Sequence, residues 1–171
     1  MTKHGMLQLS LKNEAATAQL AQQLAQAVRA GDVIFLQGEL GAGKTTFTRH
    51  FARALGVAGR IKSPTYTLVE SYDLLAGTHG ASTLHHFDLY RLSDPREWFS
   101  AGFDEYLNDN TIALIEWPSQ AEGALPAPTV VLTFEHADDL TDVDVASFDG
   151  VRRVEIAVES GRMNGFFKQK Q

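Results

Sequence analysis

The chain has 171 residues, 44% of them hydrophobic, which matches the size and apolar content of one globular domain. It contains no cysteine, so disulfides and thiolate-bound zinc are excluded, in keeping with a cytoplasmic protein. Its formal net charge of −6 at pH 7 speaks against a protein that grips nucleic acid alone, because such proteins are usually basic. Protein partners are expected instead, with RNA met inside a complex.

The N-terminus, Met1 to Ser10, has neither a long apolar core nor a cleavage signature. No stretch approaches the roughly 18–20 apolar residues that a membrane span requires, so no membrane partner is expected. Leu7, Leu9 and Leu11 alternate with polar residues, the pattern of a short strand. Asn13 is placed to cap a helix, with Glu14 favourable in its first turn. Leu20, Leu24 and Val28 form one apolar face of that helix, and Gly31 supplies its stop.

A strand over 33–37 leads into Gly38-Glu-Leu-Gly-Ala-Gly-Lys-Thr45, which reads G-x-x-x-x-G-K-T, and a helix follows to about Leu55, closed by Gly56. This strand, loop and helix context is the one a phosphate-binding loop needs. Gly38, Gly41 and Gly43 let the backbone bend around an anion. The N–H groups along Glu39, Leu40, Gly41, Ala42 and Gly43, with the positive end of the helix, are placed to cradle phosphates. Lys44 is expected to reach the β- and γ-phosphates and the Thr45 hydroxyl to ligate Mg²⁺. No Asn-Lys pair for reading guanine occurs, which favours ATP over GTP.

Ser63-Pro-Thr65 lies about 20 residues past the loop, where a nucleotide-sensing switch is often found, although a Pro-centred turn explains it equally well. A strand to Leu75, a turn over 77–80 and a second extended segment over 83–89 come next. His85 and His86 are adjacent in that segment, so they point to opposite faces and do not make a metal pair. Arg91 is a candidate for stabilising charge at the site, but an ion pair with Asp88 or Asp94 is the expectation preferred. Asp94-Pro95 is suited to start a helix. Thr111 to Ile115 is an apolar run of buried-strand type ending at Glu116.

A phosphate-loop enzyme needs a carboxylate to hold or order Mg²⁺ and the attacking water. Glu116 and Asp88, each at a strand end, are the candidates, and both are expected beside the loop where parallel strands finish. Spacing leaves Trp117 open between the core and a cover over the nucleotide. Residues 125–128 read as a linker. Residues 129–135 and 151–158 read as antiparallel strands at one edge, joined by an acidic segment over 138–149. Residues 1–160 form the expected single domain, with 161–171 a loose tail. The fold expected is three-layer α/β with a mostly parallel central sheet and an antiparallel edge.

Four ordered segments, Gly38 to Thr46, Ser63 to Glu70, His86-Phe-Asp-Leu-Tyr-Arg-Leu92 and Ile115-Glu-Trp117, closely resemble the TsaE (YjeE) family over roughly residues 7–135. The resemblance implies a small P-loop ATPase that binds ATP with Mg²⁺, is weakly active alone, and works with TsaB and TsaD in making threonylcarbamoyl-adenosine in tRNA. It implies phosphate and metal contacts at Lys44 and Thr45, and a contact toward the α-phosphate at Thr46. Asp88 and Glu116 are implied near metal and water, a switch at Ser63 to Thr65, and Trp117 after the strand-end glutamate. The segment from Asn13 through Glu14 to Thr17 is implied near the adenine. Departures are Arg96-Glu-Trp-Phe99, the acidic 138–149 segment and the polar tail. The competing readings are a kinase of a small metabolite and a nucleotide-binding switch with little catalysis. Only Arg91 and Arg96 lie between the two carboxylates, few for a kinase lid.

Overall fold

The computed structural model describes residues 5–75, 78–136 and 151–159. The elements are β1 (Gly5–Leu11), α1 (Glu14–Ala27), β2 (Val33–Gln37), α2 (Lys44–Ala54), β3 (Val69–Asp73), β4 (Thr83–Asp88), α3 (Glu97–Ser100), β5 (Thr111–Glu116), β6 (Val130–His136) and β7 (Arg152–Val158). Short 3₁₀ turns cover Phe103–Tyr106 and Pro118–Ala121. No described helix is long and apolar enough to cross a membrane.

The strands form one sheet in the order β1-β7-β6-β2-β5-β4-β3. Its centre, β6-β2-β5-β4, is parallel. Central parallel strands are covered on both faces, and β5 is accordingly buried at every position. Alternate residues feed two cores. Ile34, Leu36, Ile112 and Leu114 pack with Leu20 and Leu24 of α1 and Phe47 and Phe51 of α2. Val33, Ala113 and Ile115 pack on the other side with Phe87, Trp98 and Phe103. Trp98, within the segment Arg96-Glu-Trp-Phe99, is a core member, 1% exposed, and lies against Phe87 with ring centroids 5.0 Å apart.

Several expectations need correction. Antiparallel pairing occurs on both flanks rather than one, because β3 also runs antiparallel to β4. The two are joined directly by a short connection, which suffices for an antiparallel pair, whereas a parallel pair needs a long crossover. The β6–β7 pair is antiparallel as expected, but β7 is not the rim, since β1 covers its outer side.

Helix α1 begins as read, with Asn13 Oδ1 accepting the Ala16 N–H at 2.9 Å. It ends at Ala27, before Gly31. Val28 is extended and fully buried, so core packing pulls the chain out of the helix, and the Gly31 N–H then bonds the Thr111 carbonyl at 2.7 Å. Helix α3 is four residues long and starts at Glu97 rather than at Asp94-Pro95. The carboxylate of Asp94 is engaged by the Arg96 side chain at 2.6 Å and its backbone N–H at 2.8 Å. Those bonds hold the Asp94 carboxyl down to about 2. Arg91 does not take the expected carboxylate partner: its guanidinium lies 4.6 Å from the centre of the Tyr66 ring. Gly77, the acidic 138–149 segment and the 161–171 tail lie outside the described residues.

Candidate functional site

Strand β2 runs up the middle of the sheet and delivers the chain at Gly38 beside β6. Gly38 has φ +136°, and a Cβ there would stand 2.5 Å from the Phe134 carbonyl oxygen. Only glycine lets the loop leave the strand so close to its neighbour. The loop re-enters helix at Gly43, whose φ of 109° makes it the N-cap of α2. No side chain caps this helix. The N–H groups of its first turn are therefore left for an anion, with the positive end of the helix behind them.

A cleft of about 230 Å³ opens over this loop. Leu40, Gly41, Gly43, Lys44, Thr45 and Thr46 form its floor, and Asp88, Glu116 and Trp117 one side. Leu11, Asn13, Glu14, Thr17 and Arg152 form the rest of the lining. Most of the residues singled out in the sequence therefore meet in one place. Glu39 and Ala42 support the loop from outside that lining: the Glu39 carbonyl accepts the Ala42 N–H at 3.1 Å and the Lys44 ammonium at 3.4 Å. Ser63 and Thr65 also lie outside it, their hydroxyls bonded to each other at 2.7 Å.

Lys44 is 5% exposed. Its ammonium donates to the Gly38 carbonyl. Burial lowers its pKa, and the negative charges of Glu116 and Asp88 work in the opposite direction. Asp88 and Glu116 are register partners at the ends of β4 and β5. Burial raises the Asp88 carboxyl above its ordinary value, and the Glu116 charge adds to the rise. The Asp88 carboxylate also accepts the Tyr90 N–H at 3.1 Å. Two neighbouring carboxylates across from a buried ammonium make a place where a further positive charge is favoured.

Glu116 is 4% exposed and His86 is 3% exposed. The imidazole Nε2 donates to Glu116 Oε2 at 2.9 Å. His85, on the opposite face as expected, bonds through Nδ1 to the Ser71 hydroxyl at 2.7 Å and meets Tyr106 edge-on, far from this pair. Burial lowers the His85 pKa.

Trp117 has φ 56°. A non-glycine residue there carries strain of about 1–3 kcal/mol and is kept by its surroundings. Its N–H bonds the Leu36 carbonyl at 3.3 Å and its carbonyl accepts the Gln120 N–H at 3.1 Å. The following Pro118 disfavours the ordinary helical alternative. The ring packs on Tyr90, centroids 5.0 Å apart, and covers Lys44. The structure thus puts Trp117 in the wall of the cleft, which spacing had left open.

Sequence reasoning missed Leu11 and Arg152 as lining residues. Arg152 Nη2 donates to the Gly41 carbonyl at 3.2 Å across 111 positions of sequence. No local motif signals this contact, which exists because the sheet order brings β7 beside β6.

The donor set fits a nucleoside triphosphate with Mg²⁺. Among the described residues no group of three or more His, Cys, Asp or Glu side chains is arranged to hold a metal ion. Mg²⁺, however, is commonly held by one or two carboxylates together with substrate phosphates, and Asp88, Glu116 and the Thr45 hydroxyl share this cleft.

Comparison with known proteins places the chain in a family. A protein from Haemophilus influenzae named tRNA threonylcarbamoyladenosine biosynthesis protein TsaE is 41% identical over 113 residues, covering 66% of this chain and 68% of the relative. The protein of the same name from Bacillus subtilis strain 168 is 37% identical over 127 residues, covering 74% of this chain and 76% of the relative. The crystal structure of Bacillus subtilis YdiB superposes with a TM-score of 0.72 at 28% identity, over 99% of this chain and 96% of that one. Residues 11–143, which hold the whole loop and both strand-end carboxylates, match the family model described as threonylcarbamoyl adenosine biosynthesis protein TsaE, and the chain belongs to that family.

Proposed function

We propose that this chain is a P-loop ATPase, dependent on Mg²⁺, that serves the synthesis of threonylcarbamoyl-adenosine in tRNA together with TsaB and TsaD partners. The names of its relatives support the tRNA pathway. The observation that carries the ATPase reading is the meeting of Lys44, Thr45, Asp88 and Glu116 in one cleft at the C-terminal ends of parallel strands.

In this reading the loop from Glu39 to Thr46 takes the triphosphate through its N–H groups. Lys44 contacts the β- and γ-phosphates. Thr45, Asp88 and Glu116 would hold Mg²⁺, which would supply positive charge against that developing on the phosphoryl oxygens. Glu116 orients water for in-line attack on the γ-phosphate. Glu14 and Thr17 flank the adenine with Leu11, and Trp117 covers the Lys44 end. Ser63 and Thr65 belong to the segment that exchanges its mutual hydroxyl bond for contacts toward the γ-phosphate. Hydrolysis resets the partner complex between rounds of modification. The chain acts in the cytoplasm. Neither Arg91 nor Arg96 lines the cleft, so no observation favours the kinase reading.

Phosphate release from Mg-ATP, measured with and without TsaB and TsaD homologues and tRNA, tests this. Slow release alone and strong stimulation by partners is the expected result. Release that ignores the partners, or phosphate passed to a small acceptor, contradicts it.

A further inference from the structure

Glu116 sits buried at the end of β5, and one of its carboxylate oxygens is tied. His86 lies two residues before Asp88 on β4, on the same face of the sheet. Its Nε2 reaches Glu116 Oε2 at 2.9 Å inside the fold. An ionised carboxylate only accepts, so the Nε2 carries the hydrogen. The other ring nitrogen, Nδ1, is buried without a hydrogen-bond partner among the described residues. Glu70, the register partner of His86 on β3, instead accepts the Thr67 hydroxyl at 3.2 Å.

The unpaired Nδ1 is a cost that the bond from Nε2 to Glu116 has to offset. A leucine in the same position, like Leu84 on the same face, would leave no unpaired nitrogen but would strip the buried Glu116 carboxylate of its partner. What the imidazole does supply is a directed N–H that fixes one oxygen of Glu116, a residue that lines the cleft. We propose that His86 is a positioning residue that holds Glu116 in the orientation used on the metal and water. The inference rests on the role given to Glu116 above.

The test uses the full chain and the variants His86→Leu, His86→Gln and Glu116→Gln. Leucine keeps bulk and removes the donor, whereas the glutamine amide returns an N–H near the place of Nε2. The H86L protein is expected to bind ADP in EDTA within about twofold of the parent and to lose at least about tenfold in the rate of Mg-ATP hydrolysis at saturating ATP. H86Q is expected to regain most of that rate. The double variant H86L/E116Q is expected to be no slower than E116Q, since the tie has nothing left to orient.

A fast H86L beside a slow E116Q overturns the positioning role and leaves the reading of Glu116 standing. A fast E116Q overturns that reading itself. Weakened ADP binding by H86L, or losses that multiply in the double variant, shows that His86 acts otherwise than through Glu116. If H86L does not fold, H86Q decides: a folded H86Q as slow as E116Q overturns the donor role.

Discussion

The Lys44 ammonium stands 4.0 Å from the centre of the Trp117 indole, a cation held against the face of an aromatic ring in the wall of the cleft. Such contacts contribute about 0.5–2 kcal/mol, more as water is excluded. The residue assigned to the phosphates and the ring assigned to cover them are therefore one unit. A triphosphate that draws the ammonium forward must change the surroundings of the indole.

Intrinsic fluorescence reads this directly. Trp98 is the second tryptophan, fully buried in the core cluster against which Trp117 packs. Adding Mg-ATP is expected to change the emission of the parent protein and leave Trp117→Phe unchanged. A nucleotide response that persists in W117F would place the covering ring elsewhere.

Asp88 predicts a pH-dependent gain in stability. Its carboxyl is raised above 3.8 by burial first and by Glu116 next. A raised acid disfavours the folded state while it is charged, so the penalty is fully present above the folded pKa. The penalty shrinks as pH falls through the folded pKa and vanishes below the unfolded value. Asp88→Asn, without metal or nucleotide, should therefore be more stable than the parent to urea at neutral pH, and the two should converge below pH 3.8. An equal difference across the whole range would sink the assignment. The same variant should weaken the Mg²⁺ dependence of activity, and a magnesium titration identical to the parent's would count against a metal role.

Gly38 tests the geometry that launches the loop. A methyl group would lie 2.5 Å from the Phe134 carbonyl oxygen, backbone that has no rotamer to escape by. Gly38→Ala is expected to lower unfolding free energy by more than about 2 kcal/mol. Chemical denaturation checks it, and a change below about 0.5 kcal/mol, the size of an ordinary surface substitution, would contradict the geometry.

Arg152 tests the contribution of β7 to the cleft. Its bond to the Gly41 carbonyl steadies the loop from across the sheet. Arg152→Ala should weaken nucleotide binding by about two- to tenfold, the range of one hydrogen bond of about 0.5–1.5 kcal/mol. Titration calorimetry with ADP measures it, with unchanged affinity as the contrary result.

The phosphate loop, the strand before it and the helix after it were all legible in the sequence, because each depends on residues within a few positions. Glycines at Gly38 and Gly43 set the backbone, apolar periodicity set the buried face of α1, and a continuous apolar run marked β5 as a buried strand. The strand-end positions of Asp88 and Glu116 were legible for the same local reason. Their pairing was not, since it requires β4 and β5 to lie side by side in register. Tertiary structure alone also decided that Val28 leaves α1 for the core, that Trp117 faces Lys44, that Arg152 reaches Gly41, and that His86 is tied to Glu116. Each of these is a contact between distant parts of the chain, chosen by which surfaces pack and which polar atoms remain to be satisfied, and no local preference encodes that choice.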